Sequence, residues 1–425
     1  MPHKFKSFTT VAVLFIGYLI IYFDKSAIGY TILGMQHDFH FSNVQKGGVM
    51  SAFFIGYGVM QLPIALINNR LGSKRLLVWA MIGIALFAYL TNFATSIIVV
   101  ALLRLLAGAF AHAGYAPSAS KTVALTITSN YRGRAIGALL STSGIAGILI
   151  PLIVIPIMIQ NSWHTVYTVL MTAALIVGIL LFTFLPRTKP TIAQPQAVFK
   201  ESLHDKSMWQ LAFLNFSINL ILYGLSTWMP SYLADTHNFN AHTQTVILAS
   251  GATLFLVGIY TGSFLVDRFF VGHEARLFTP AMLLAALSLL TFLQSASPTN
   301  IAVSLSLAQF FMAVSATTSM TFPVKYFDAT HYSTNYAIFA TGGIIGGAVS
   351  PTIIGVLVEM LGGSFSAVFV LFLSQRLLLA CQSVKSHCSV TINNYLYSEY
   401  AKRRKFSFGK FAPFLCRFSQ QYTHY

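Results

Sequence analysis

Long apolar runs recur along this chain, and they constrain its fold more than any other feature. Eleven of them cover roughly residues 8–32, 47–67, 76–94, 97–119, 135–159, 163–185, 208–233, 244–266, 277–295, 301–322 and 335–360. About 20 apolar residues in a helix cross the hydrocarbon of a bilayer, so each run is a candidate membrane span. A twelfth begins near Phe365 and is interrupted by Gln375 and Arg376. Only 8% of the 425 residues are charged and 56% are hydrophobic, against about 25% charged in a soluble globular protein. Too few charges remain to coat a soluble surface, which excludes a soluble enzyme, a disordered chain and a disulfide scaffold. The first run is too long for a cleaved signal peptide, contains Asp24 and Lys25, and is followed by no small-residue cleavage site.

The net charge is +16, and its placement reflects topology rather than nucleic-acid binding. Numbering the runs puts Lys4, Lys6, Arg70, Lys74, Arg75, Lys121, Arg132, Arg134, Arg187, Lys189, Lys200, Lys206, Arg268, Arg276 and Lys325 on one side and only Lys46 on the other. By the positive-inside rule the N-terminus is cytoplasmic, in a multi-pass protein of the cell membrane. The longest polar connection before the tail, Pro186–Ser207, carries three prolines and four basic residues. It reads as a cytoplasmic linker (186–207) between an N-terminal six-helix bundle (1–185) and a C-terminal bundle (208–373). The expectation is an all-α membrane protein of two six-helix bundles with a disrupted twelfth helix. Asn69–Arg75 after the second span and Asp267-Arg268 after the eighth stand 198 residues apart, a weak internal repeat of the kind found in two-halved transporters.

Asn69-Arg70-Leu71-Gly72-Ser73-Lys74-Arg75 resembles the signature loop between the second and third helices of the major facilitator superfamily. Ala65 stands where that signature has its first Gly, and Asn69 where it has Asp; the basic half and Gly72 are intact. Further segments resemble its anion:cation symporter branch. These are Tyr22-Phe23-Asp24-Lys25, Gly56-Tyr57 with Gln61 and Pro63, Arg104 with Gly108, Arg132-Gly133-Arg134-Ala135, Trp163-His164, Tyr223-Gly224 with Trp228-Met229-Pro230, and the Gly342–Gly355 region with Pro351. The resemblance covers residues 1 to about 373. It implies secondary transport of organic anions such as sugar acids, hexuronates or aromatic carboxylates, driven by protons or sodium. It also implies that Arg70, Lys74 and Arg75, with Gly72 and the matching Asp267 and Arg268, latch the cytoplasmic helix ends, a latch that Asn69 in place of Asp weakens.

Four ionisable residues lie at membrane depth: Asp24, Lys25, Arg104 and His112. A charge at the centre of a spanning helix costs about 2.5–3.5 kcal/mol on insertion scales, so each must face a water-filled cavity or a partner. Arg104, Gly108 and His112 follow i, i+4, i+8 and share a face. Arg104 is a candidate carboxylate clamp, with Lys25 as a second cation; alternatively Arg104 pairs with Asp24 and locks helices together. Asp24 is the candidate proton-coupling group, and pairing it with its neighbour Lys25 is awkward because adjacent helical residues diverge by about 100°. The family's second carboxylate, seven residues after the Arg, is Ala111 here. His112 beside it is a candidate relay or a polar core histidine. Tyr22, Tyr57, Gln61, Tyr223 and Thr341 are candidate substrate contacts, with aromatic-belt positions as the alternative for the tyrosines. The small-residue stripes Gly48/Ala52/Gly56, Gly258/Gly262 and Gly343/Gly347 are expected to let helices pack closely.

No zincin spacing, Walker loop or dinucleotide fingerprint is present, so no cofactor, metal or enzymatic activity is expected. The expected partners are the lipid bilayer and a small anion with its co-transported proton or sodium, without nucleic acid, in a monomer. The tail, 374–425, holds all three Cys, eight basic residues and one acid, Glu399, and reads as a frameshifted or altered C-terminus. Competing readings are an organophosphate/phosphate antiporter and a non-transporting membrane sensor. The former typically has an Arg in span seven, and Met208–Leu233 has no basic residue.

Overall fold

The computed structural model describes residues 3–186, 206–271, 273–322 and 332–363, and every regular element among them is a helix. Hydrocarbon offers the backbone no hydrogen-bond partner, so each spanning segment must satisfy its own amides, and helices do this. The helices are α1 (His3–Phe39), α2 (Asn43–Leu71), α3 (Ser73–Thr91), α4 (Ile97–Leu106), α5 (Tyr115–Thr126), α6 (Ser129–Gln160) and α7 (Trp163–Phe184). After residues 187–205 follow α8 (Lys206–His237), α9 (Ala241–Phe269), α10 (Ala275–Gln294), α11 (Pro298–Ser319) and α12 (Tyr332–Met360). A π-helical turn, Ala107–His112, joins α4 to α5, so these together form the fourth expected span. Ten spans among the described residues are long and apolar enough to cross a membrane; α2, 29 residues long, covers the remaining expected run. The expected twelfth helix and the altered tail fall outside the described residues.

Polar residues mark several helix starts. The side chains of Ser96, Asn240 and Ser297 accept hydrogen bonds from the backbone N–H of Val99, Thr243 and Asn300, satisfying donors that the helix cannot. Gly72 turns α2 into α3 with φ of +84°, a conformation that costs any residue with a Cβ. This gives Gly72 a structural reason independent of any latch.

Within the first seven helices, α3 packs on α7, α1 on α6 and α7, and α2 on α4. Within the last five, α8 packs on α12, and α11 on α9 and α10. Three pairings join the two sets: α2 with α12, α6 with α9, and α1 with α8. Glycines at crossing points set how closely the backbones approach. A Cβ on Gly56 would collide with the Leu105 carbonyl oxygen, and one on Gly108 with that of Phe53, so α2 and α4 touch through reciprocal glycines. Gly258 meets α11 at Phe310, and Gly343 and Gly347 meet α8 at Asn215 and Tyr223. Gly48 has nothing within 4 Å of a Cβ; the first expected stripe is therefore a contact at Gly56 and not along its whole length.

Substitutions at these glycines should separate the two classes. Gly108→Val should lower the melting temperature of the detergent-solubilised protein sharply, at a cost of about 3 kcal/mol from overpacking. Gly48→Ala should melt as the parent does, and equal melting temperatures for all three proteins would contradict the packing described.

Candidate functional site

The four ionisable residues at membrane depth converge on α1, but they divide into two groups. Asp24, Arg104 and His112 are 3%, 2% and 2% exposed. Arg104 Nη1 lies 3.3 Å from Asp24 Oδ1, and His112 Nε2 lies 2.6 Å from Asp24 Oδ2. One carboxylate thus engages both side chains of the fourth span. Arg104 also donates to the backbone carbonyls of Asp24 (3.0 Å) and Lys25 (3.2 Å), filling acceptors that lie beside the carboxylate. Phe53 of α2 covers the group: its ring lies 4.7 Å from the Arg104 guanidinium carbon and 4.7 Å from the His112 ring. The π turn between Arg104 and His112 is the kind of irregularity that clusters at functional sites; in it Ala113 N–H bonds to the Gly108 carbonyl five residues back.

Lys25, the next residue on α1, points elsewhere. Its ammonium donates to Tyr223 Oη of α8 at 2.8 Å and sits 4.1, 5.1 and 5.8 Å from the ring centres of Tyr223, Phe54 and Tyr22. Aromatic faces attract a cation without neutralising it. With Asp24 carrying one negative charge, and Arg104 and Lys25 one positive charge each, the cluster is net positive by one even with His112 neutral.

A cavity of about 70 Å³ lies here, lined by Tyr18, Tyr22, Lys25, Phe53, Tyr57 and His112 among others. Of the residues expected from sequence to contact substrate, the fold brings Tyr22, Lys25 and Tyr57 to this cavity, with Tyr223 bonded to Lys25. Arg104 and Asp24 lie behind the wall, engaged with each other. Gln61, one turn beyond Tyr57, has a buried Oε1 that no donor reaches among the described residues. Thr341 is exposed on α12, one turn from exposed Ile345, and is not among the residues lining the cavity.

Two wall residues were not anticipated. Tyr18 stands one turn before Tyr22, and its ring meets Tyr115 edge-on at 5.0 Å; the i, i+4 tyrosine spacing was the available signal. Phe53 had none, because nothing in an apolar run distinguishes the aromatic that will face a charge. Among the latch residues, Lys74 donates to the Leu185 carbonyl at 2.6 Å, at the C-terminal end of α7, where a cation is favoured. Arg75, Asp267 and Arg268 are exposed, and the side chains of Asn69 and Arg70 lie outside those described.

The Major Facilitator Superfamily matches residues 14–351. The hexuronate transporter of Bacillus subtilis (strain 168) is 28% identical over 267 residues, 60% of this chain and 63% of that protein. The probable sulfoacetate transporter of Cupriavidus necator is 25% identical over 381 residues, 83% of this chain and 87% of that protein. Among solved structures, a bacterial homologue of the human lysosomal transporter Spinster, inward-facing and unoccupied, superposes with a TM-score of 0.73 at 16% identity, covering 89% of this chain and 94% of its own. A mutant of the nucleoside transporter NupG gives a TM-score of 0.73 at 15% identity, covering 89% and 99%. With its spans, its all-helical fold and a match across residues 14–351, this chain belongs to the Major Facilitator Superfamily and is a multi-pass membrane transporter.

Proposed function

We propose that the protein is a secondary active transporter of small organic anions (sugar acids, hexuronates or related carboxylates) that couples their movement to protons or sodium across the cell membrane. The observation that carries this reading is the division of charge around α1. Arg104 is engaged by Asp24, whereas Lys25 reaches the cavity with, among the described residues, a neutral hydroxyl and ring faces around it. An anion entering the cavity meets one uncompensated cation. A carboxylate on Lys25 would compete with Tyr223 Oη, and so act on the α1–α8 contact between the two sets of helices. The hydroxyls of Tyr18, Tyr22 and Tyr57 and the orphan Oε1 of Gln61 suit the hydroxyls of a sugar acid. The names of the hexuronate and sulfoacetate relatives point to the same ligand class.

Coupling follows from Asp24. A protonated Asp24 no longer holds the Arg104 charge, which then becomes a second cation for the anion; proton and anion thereby favour each other's binding. His112, on the other carboxylate oxygen and at the cavity wall, is placed to pass the proton. Both oxygens of Asp24 are already engaged by Arg104 and His112, which favours a proton over sodium. Asn69, Arg70, Gly72, Lys74 and Arg75, with Asp267 and Arg268, are assigned to the conformational latch, and Thr341 to a peripheral contact made in another state. An organophosphate antiporter would need to meet two substrate charges. Among the described residues with Asp24 ionised, the wall offers one cation without a counter-charge, and Met208–Leu233 of α8 holds no basic residue.

Transport by the parent protein and by three variants tests the reading. Proteoliposomes should exchange labelled galactonate or glucuronate, and an inward-acidic gradient should change net uptake; exchange of phosphate esters alone would contradict it. Lys25→Met should abolish anion binding and exchange while leaving the melting temperature close to the parent's. Arg104→Met should lose both, since stripping one partner from a buried pair costs about 3–5 kcal/mol. Asp24→Asn should retain exchange but lose gradient-driven accumulation, and intact accumulation would remove Asp24 from coupling.

A further inference from the structure

Lys46, the only Lys or Arg that the sequence assigns between spans on its side of the membrane, is fully buried. It lies in the first turn of α2. Its Nζ is 3.7 Å from Asp235 Oδ2 of α8 and 5.5 Å from the Trp228 ring centre, and it makes no hydrogen bond among the described residues. Among the described residues this is the one ion pair that joins the first seven helices to the last five. Around it the same end is closed by hydrogen bonds between α2 and α12, one of them to the Glu359 carboxylate, with α8 tied to α12 through Trp228. Ser51 Oγ accepts from the Thr352 hydroxyl (2.8 Å) and amide (3.1 Å), Trp228 Nε1 donates to the Pro351 carbonyl (3.1 Å), and Glu359 accepts from the Val44 amide (3.2 Å).

The pair differs in kind from those contacts. A buried ammonium that lacks hydrogen bonds recovers little of its lost hydration from one carboxylate at that distance. Each charge also sits at the wrong end of its own helix: the cation in the first turn of α2, the anion near the last turn of α8. Separating α2 from α8 rehydrates Lys46 and relieves both conflicts.

We infer that Lys46 is a strained positioning residue that opposes closure of this end. The α2–α12 hydrogen bonds hold the end shut, and the buried cation keeps that closure reversible. Only the two-sided opening of a transporter of this family is required, so failure of the inference would leave the anion reading untouched.

The direction of the mutant effect separates this from an ordinary ionic latch. Ser51→Cys, at a position 3% exposed in the closed end, serves as reporter in the full-length protein with Cys381, Cys388 and Cys416 changed to Ser. Its maleimide labelling rate in detergent measures opening. Lys46→Met should slow labelling roughly tenfold, because an apolar side chain suits the buried site better. Asp235→Asn, which strands the cation, should accelerate it, and Lys46→Met with Asp235→Asn together should be slow again. Faster labelling in Lys46→Met, or no change in either single variant, would overturn the inference. Lys46→Leu takes its place if Lys46→Met does not fold, with slower labelling expected and faster labelling overturning the inference.

Discussion

A single carboxylate, Asp24, organises the interior of this transporter. In an apolar helix packing, Arg104 needs a counter-charge and His112 a hydrogen-bond partner, and Asp24 offers one oxygen to each. The arrangement ties α1 to the fourth span without exposing a charge to lipid, as intramembrane ionisable groups require. It also decides which cation is left over. Lys25, turned away from that pair, is the charge the cavity presents.

The backbone geometry that permits this is set by small residues. Gly56 and Gly108 let α2 and α4 approach until backbone meets backbone, which brings Phe53 over the Arg104 guanidinium and against the His112 ring. In a bilayer there is no aqueous hydrophobic effect to draw helices together, so close packing and shared polar groups must supply the association. The two charge systems then play opposite parts. At the cavity, Asp24 is doubly engaged and Lys25 lies at the wall with its ammonium on the Tyr223 hydroxyl. At the far end of α2, Lys46 is buried with one distant partner and works against the contacts around it.

Much of this was legible in the sequence. Long apolar runs specify helices because hydrocarbon excludes other backbone structure, and the four charges within those runs stood out for their cost alone. The i, i+8 spacing placed Arg104 and His112 on one face, and both readings of Arg104, clamp and helix lock, were open from the start; the geometry has it on Asp24. What the sequence did not reveal depends on where helices face one another. The aromatic surroundings of Lys25, contributed by α1, α2 and α8, come from segments up to about 200 residues apart. Lys46 read as a lone outer charge, and only the packing of α2 on α12, with Asp235 and Trp228 of α8 beside its first turn, shows that it is buried. Gly48 looked equivalent to Gly56 by spacing, but a Cβ there would meet open space, and at that level its neighbour Gly47 makes the close approach to α12.

The most direct test of the account is an experimental structure with a bound sugar acid such as glucuronate. The account predicts the carboxylate in the cavity within hydrogen-bond distance of Lys25 Nζ, with the Tyr223 hydroxyl displaced and the hydroxyls facing Tyr18, Tyr22 and Tyr57. A carboxylate held elsewhere, with Lys25 still bonded to Tyr223 and sealed from the ligand, would contradict it.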